Sequence, residues 1–579
     1  MSAKKIGVYI CQCGGNIGDY VDVNEVVAAV EKEQGVGVAK TAMFTCSDAT
    51  QSEIIADAQE QGLDGLVIAS CSPKLHTFTF RDVARRAGMN PFQYTQVNVR
   101  EQCSWTHTDD HEGATEKAVR LVRAGINRTR LTDPLEPIVV ETTPKSLVVG
   151  GGITGLRAAL GLAEIGLSVF LVEKEPKLGG WVAGFGDMYP HGRNGAELIA
   201  KLEQKVRSHP AITVFTQAEL VAKSGSFGNY EVTVAIHGEQ LETISMVVGS
   251  IVIATGFDTY QPAEGELGYG LDGVITIADF KKLLDSTDGP LEYNGRPVKT
   301  VAYIYCVGSR QGDDVEGGNT YCSRYCCTAA VHAATMVADL PARVHQYHFY
   351  RDMRTYGKFE LLYAEAMEKG SAFVKFPDDE PPAVEKDAKT GGITLTARDL
   401  LSEGEEVALT ADLVVLVTGM VPRENEGLTK TLKLPVGQSG FYNEIHPKLR
   451  PVETVVDGAF ICGACQAPRT SSESVASGLA AVTQSAAILK RGFAELDPLV
   501  ATVDADACTW CGACETTCPY DAIAREARDG KEIAVISRTS CKGCGGCVPV
   551  CPSDAIDLQG YTDAQIKSMI DGMLEVVCV

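Results

Sequence analysis

A chain of 579 residues is too long for one hydrophobic core, so three or four domains are expected. With 52 Lys+Arg against 75 Asp+Glu, the net charge of −23 repels polyanions and argues against nucleic acid as a partner. The start MSAKKIGVYICQCGG is too short in apolar run for a signal peptide and nowhere do about 18 apolar residues run together, so the chain reads as cytoplasmic with no membrane span.

In that reducing compartment 20 cysteines point to metal or redox work rather than to disulfides. They fall in groups, and the groups organise the chain.

Residues 1–140 alternate strands and helices. IGVYI, VAKTAMF, GLVIA and PFQYTQVNV read as strands, with VNEVVAAVEKE and SEIIADAQEQG as helices between them. Cysteines follow the strands: Cys11 and Cys13, Cys46, Cys71 and, somewhat later, Cys103. In a parallel α/β sheet the strand C-termini share one edge, so distant cysteines are gathered there. Four thiolates can hold an iron–sulfur cluster. Cys11 and Cys13 lie two apart on a strand, so of the five Cys103 is the one to drop.

Residues 141–295 and 423–497 form the two parts of a flavin domain. In SLVVGGGITGLRAALGLAEIGLSVFLVEKE a strand leads into Gly150, Gly152 and Gly155, a helix follows, and a second strand ends at Glu173. The glycines let backbone approach a pyrophosphate at the helix N-terminus, and Glu173 faces the adenosine ribose, with Lys174 beside it. FAD is favoured over NAD by three segments like those of flavoprotein disulfide reductases. These are LGGWV with Gly180, IVIATGFD with Thr255 and Gly256, and GAFICGAC with Gly463, where Ala464 replaces the usual Asp.

Residues 296–422 occupy the place of the inserted NAD(P)H-binding unit. The apolar strand KTVAYIYCVGSR lacks closely spaced glycines, and Cys306 sits at the turn where a pyrophosphate would lie. Direct NAD(P)H oxidation is therefore not expected. YCSRYCCTAAVH then brings Cys322, Cys326 and Cys327. On a helix Cys322 and Cys326 would share a face, with Cys327 about 100° away. With Cys306 they number four, which suits a cubane. A redox-active dithiol and inert packing are the alternatives.

Residues 498–579 carry CTWCGACETTCP and CKGCGGCVPVCP, each C-x2-C-x2-C-x3-C-P, the pattern of a two-cluster ferredoxin. The fourth cysteine of each run ligates the other cluster. Cys508, Cys511, Cys514 and Cys551 therefore serve one [4Fe–4S], and Cys541, Cys544, Cys547 and Cys518 the other. The inventory as a whole allows four [4Fe–4S] clusters and FAD. Cys462, Cys465 and Cys578 have no assigned role.

The expected fold class is thus α/β: an N-terminal α/β domain, a two-Rossmann FAD core like that of thioredoxin reductase, and a C-terminal ferredoxin domain. VYICQCGGNI, MFTCSD, ASCSPKLH, VREQCSW, GGGITGL, YCVGSR, YCSRYCC and the ferredoxin tail together resemble the A-type (HdrA-like) component of heterodisulfide reductase, the flavin subunit of methanogens and their bacterial relatives.

The resemblance implies an unusual cluster on Cys306, Cys322, Cys326 and Cys327, an N-terminal cluster, and flavin-based electron bifurcation. It also implies a hetero-oligomeric complex, dimeric in one arrangement, with B- and C-type subunits and a small hydrogenase- or dehydrogenase-linked iron–sulfur or flavin subunit. Methanogen members carry a further ferredoxin insert in the flavin domain. Here EVTVAIHGEQLETISMVVGSIVIATG runs through without a cysteine. The family places a lysine near the flavin N5 where this chain has His332, which would be a cation there only when protonated.

Overall fold

The computed structural model describes residues 4–238, 240–313, 315–387 and 391–574, so Cys578 lies outside the described residues. The chain divides into two compact units, residues 1–140 with 495–579, and residues 141–494.

The first unit is built on a parallel sheet of β1 (Ile6–Cys11), β2 (Val36–Ala42), β3 (Gly65–Ser70) and β4 (Tyr94–Asn98) in the order β2-β1-β3-β4. The central strands, IGVYIC and GLVIAS, are buried along their whole length, as strands covered on both faces must be. Helices α1 (Val23–Val30) and α4 (His111–Arg130) pack one face, with Val26, Val30, Val119 and Val122 against Val8 and Val67. Helices α2 (Asp48–Gln61) and α3 (Pro73–Arg86) pack the other, with Ile54, Phe80 and Val83 against Leu66 and Ile68. Local chemistry sets the starts: Asp22 caps α1 through the amides of Asn24 and Glu25, and Ser47 caps α2 through that of Thr50. Helices α3 and α4 go beyond the sequence reading. The first of them opens on PKLHTFTF, rich in residues of middling helix propensity, and is held by its Ser72 cap and by burial of Phe80.

The cysteine-rich tail packs in this same unit. Its last helix, Asp563–Leu574, lies along α4 with Gly572 so close that a Cβ would come within 3.0 Å of the Ala124 amide nitrogen. Asn127 donates to the Ser568 carbonyl at 3.1 Å and Gln565 to that of Leu131 at 2.9 Å. Arg128, buried, donates to the Gly560 carbonyl at 2.6 Å and lies over the Tyr561 ring at 4.1 Å.

In the second unit the chain runs through β5 (Lys145–Val149), α5 (Ile153–Glu164), β6 (Ser168–Val172), β7 (Ile212–Phe215) and β8 (Ser250–Ile253). There follow β9 (Val274–Thr276), β10 (Thr300–Val307), α6 (Cys326–Ala338), β11 (His345–Tyr350), β12 (Ala372–Lys375) and β13 (Leu413–Thr418). Strand β14 (Ala459–Ile461) and helix α7 (Ser471–Leu489) complete it. Two parallel sheets result, ordered β7-β6-β5-β8-β14 and β9-β13-β10-β11-β12, the second inserted in sequence between strands of the first. This is the expected two-Rossmann core. EVTVAIHGEQLETISMVVG forms antiparallel strands, Asn229–His237 and Leu241–Val248, that lead directly into β8.

Candidate functional site

Three places in the fold gather thiols. At the C-terminal edge of the first sheet, Cys11 ends β1, Cys13 follows in a left-handed conformation (φ 52°), and Cys46 and Cys71 come just after β2 and β3. A left-handed cysteine is uncommon and costly, a sign of local constraint. Cys46 and Cys71 each lie close enough to Cys11 and Cys13 to feel their charge. Burial pushes the Cys71 thiol up to about 11, and burial followed by the Cys11 charge raises Cys46. Cys11 accepts from the Thr45 amide at 3.4 Å.

Cys103 is buried in the same hydrophobic core as Cys11, with Cys13 packed against that core. It sits in a π-helical turn, Arg100–Ser104, fully buried in the core; burial pushes its thiol up to about 11, and Lys117 is the charged group that faces it. The same turn presents a residue that the motif reading overlooked. Arg100 donates to the Cys13 sulfur at 3.5 Å, pairs with Glu101 at 2.8 Å and stacks on Trp105 at 4.6 Å.

The central set has a different scaffold. Cys306, near the end of β10, is left-handed (φ 63°) at a bulge in the pairing of β10 with β13. Cys326 and Cys327 are the first two residues of α6, and both are buried. Cys322 does not share a helix face with Cys326 as the spacing suggested. Arg324 turns left-handed (φ 59°) between them, so Cys322 belongs to the preceding loop. That loop is pinned by buried Ser323, whose hydroxyl accepts from the Met420 amide at 2.9 Å. The four still converge. Burial, then the charges of Cys327, Cys306 and Cys322, raise the Cys326 thiol, and burial pushes Cys327 up to about 12. Arg310 is the nearby cation, held by Asp352 at 2.9 Å.

In the tail, a small cavity is lined by Cys508, Cys511, Cys514 and Cys551 with Thr509, Trp510, Ala534, Ser553 and Ile556. Three sulfurs of this domain already accept backbone N–H groups: Cys508 from Ala534 at 3.4 Å, Cys518 from Ala522 at 3.4 Å and Cys551 from Ala555 at 3.3 Å. Burial opposes ionisation of Cys551, yet hydrogen bonds from Ser553, Ala555 and Ile556 outweigh it and lower its thiol. Cys547 lies near Cys541, Cys544 and Cys514, and burial pushes its thiol up to about 11. Among the described residues no three His, Cys, Asp or Glu side chains are drawn together tightly enough for a single metal ion. All-thiol sets of four, with N–H groups aimed at sulfur, fit a cubane.

The glycine turn lies at the C-terminal end of β5. A Cβ on Gly155 would fall 1.8 Å from the Gly150 carbonyl oxygen, so α5 packs against the turn only because that residue is glycine. A Cβ on Gly152 or Gly256 would meet nothing within 4 Å, and Gly152 caps α5 without a side chain. The open space faces unpaired helix amides, the cradle a pyrophosphate needs. Buried Glu173 accepts from the Gly151 amide at 2.5 Å and the Glu175 amide at 2.9 Å, which places its carboxylate beside the turn; Lys174 is exposed next to it. Gly180 approaches Gly152, Thr255 accepts from Asn425 at 3.3 Å, and Gly463 (φ 75°) packs against Thr154.

His332 lies on α6, half-buried, with its ring 5.7 Å from that of Tyr189. Burial, followed by the Lys281 charge, lowers its proton affinity below the ordinary imidazole range, against smaller opposing effects of Asp187, Asp285 and Glu365. At neutral pH it is uncharged.

Residues 507–555 match the family model for a 4Fe-4S dicluster domain, and residues 148–211 that for an NAD(P)-binding Rossmann-like domain. A CoB–CoM heterodisulfide reductase iron-sulfur protein of the A type from Methanopyrus kandleri is 35% identical over 91% of this chain and 92% of its own. The A-type iron-sulfur component of CoB–CoM heterodisulfide reductase from Methanocaldococcus jannaschii is 34% identical over 99% of both. That alignment runs to 656 positions against 579 residues here, so this relative carries residues that the present chain lacks. Among solved structures, thioredoxin reductase of Lactococcus lactis matches 60% of this chain and 99% of its own at 17% identity, with a TM-score of 0.41.

Proposed function

The chain belongs to the A-type family of heterodisulfide reductase subunits, and we propose that within it this protein is the electron-conducting flavin component of a multi-subunit oxidoreductase. The observation that carries the reading is the gathering of Cys306, Cys322, Cys326 and Cys327 at the end of β10, where a related enzyme would hold nicotinamide. Electrons then enter and leave through protein-bound clusters rather than through a pyridine nucleotide.

In this reading Cys11, Cys13, Cys46 and Cys71 hold one [4Fe–4S] cluster and the central four another. Cys508, Cys511, Cys514 and Cys551, and Cys541, Cys544, Cys547 and Cys518, hold the two of the tail. FAD, when bound, interconverts two-electron and one-electron transfer. Gly150, Gly152 and Gly155 would hold its pyrophosphate, Glu173, with Lys174 beside it, its adenosine ribose, and Gly180, Thr255, Gly256 and Gly463 the rest of the groove. Arg100 and Arg310 offset the negative charge of the thiolates. The partners would be B- and C-type subunits and a hydrogenase- or dehydrogenase-linked subunit.

The test is anaerobic addition of NADH or NADPH to the isolated chain. Neither should bleach the flavin, whereas dithionite should. Rapid bleaching by either nucleotide would make the chain an NAD(P)H-dependent disulfide reductase instead.

Flavin-based bifurcation is a second reading. It needs a cation beside the flavin, and uncharged His332 does not supply one at neutral pH. The cation that faces His332, Lys281, is itself held in an ion pair with Asp285.

A further inference from the structure

Cys462 and Cys465, in the segment Cys462-Gly463-Ala464-Cys465, stand outside every cluster set. Cys462 follows β14 in extended backbone, and Gly463–Cys465 forms one 3-10 turn. Cys462 thus stands immediately before the turn and Cys465 ends it. Both side chains are buried, at 0% and 4% exposure. Their sulfurs converge on one atom, the Ile253 carbonyl oxygen, each at 3.5 Å. That oxygen also accepts the Cys462 amide at 2.9 Å. Cys465 additionally reaches the Cys462 carbonyl at 3.1 Å. Two thiols cannot hold a cubane; Arg469 is the charged group nearby.

The pair stands at the same strand-end edge as the glycine turn. Ile253 ends β8 and Ile461 ends β14, paired side by side. Thr255 hydrogen-bonds Cys465, and Gly463 between the two cysteines packs on Thr154 of α5.

We propose that Cys462 and Cys465 form a buried dithiol/disulfide couple that exchanges two electrons with the flavin, a store inside the flavin domain separate from the clusters. On oxidation the two S–H bonds break and one S–S bond forms; the two electrons and two protons pass to oxidised FAD, giving FADH2. Reduction of the pair is the reverse. The inference rests on the FAD reading above. Its chemical logic is that a paired-electron carrier beside a flavin matches the flavin's two-electron state, whereas each cluster takes one electron at a time.

Trypsin releases residues 449–469 as one peptide whose only cysteines are these two. The complete protein is poised anaerobically at potentials above and below the flavin transition, quenched in acid, unfolded and alkylated with iodoacetamide, and the peptide is weighed. The expected result is a peptide with no alkyl group and an internal disulfide at high potential, and with two alkyl groups at low potential. Reductive titration should also take two more electrons per chain in the wild type than in Cys465→Ser. Two alkyl groups at every potential, or equal electron counts, would overturn the proposal. Flavin released by the same acid quench is measured alongside. Its absence would overturn the FAD reading itself, whatever the state of the thiols.

Discussion

Arg100 donates a hydrogen bond to the sulfur of Cys13 at 3.5 Å, from the π-helical turn that also carries Cys103. This element thus sets a cation against the thiols at the sheet edge. A positive charge at this range favours the more negative, reduced state of a four-thiolate cluster. Arg100→Gln should lower the midpoint potential of the N-terminal cluster by tens of millivolts, up to about 100 mV. Arg100→Lys should restore most of it. Potentiometric titration followed by EPR reads both.

Arg128 joins the tail to α4, with Thr95, the Gly560 carbonyl and the Tyr561 ring as its partners. Arg128→Ala would leave buried acceptors unpaired and remove a cation–π contact, a cost of about 2–4 kcal/mol. The amides of residues 563–574 should exchange hydrogen markedly faster, while the eight tail cysteines keep their clusters. Hydrogen-exchange mass spectrometry with iron analysis checks both halves.

How much of this was legible in the sequence differs by region. The tail was readable as a dicluster domain because its cysteines are local, with Cys508, Cys511 and Cys514 in one short loop. The N-terminal set was readable because β1, β2 and β3 are parallel and deliver Cys11, Cys46 and Cys71 to one edge whatever lies between them. Arg100 was missed because a π-helical turn leaves no pattern in composition. The docking of Asn127 on Ser568 joins residues too far apart in sequence for any periodicity to relate them. Cys322 was given a helical position by its spacing, but the left-handed Arg324 intervenes. The C-x-x-C of Cys462 and Cys465 was visible, while the shared Ile253 oxygen required the fold.

His348 is fully buried between the rings of Tyr303 and Phe373, at 4.4 and 4.5 Å, and meets the Tyr305 hydroxyl at 3.0 Å. Burial lowers its pKa from 6.5 to about 3. The native state stays neutral where the unfolded state takes up a proton, so stability is lost as pH falls through the unfolded value. Between about pH 7.5 and 5.5 the loss is about 1.4 kcal/mol. Hydrogen exchange in β10 and β11, corrected for intrinsic rates, should show it. His348→Phe should be less stable at neutral pH, because Tyr305 loses its partner, yet flatter with pH by that amount.

His332→Lys would place a permanent positive charge where an uncharged imidazole stands. If that side chain reaches the flavin, its one-electron anionic form should become visible in a reductive titration, and the flavin potential should rise. An unchanged titration would make His332 a packing residue beside Tyr189.

The most direct measurement of the central claim is the ratio of iron and acid-labile sulfide to FAD in the complete protein isolated without oxygen. Four cubanes on the cysteine sets named above give about 16 iron per FAD. The tail alone would give about 8. A value near 16 is expected, falling by about 4 in Cys326→Ser; a value near 8 in the wild type would contradict the account.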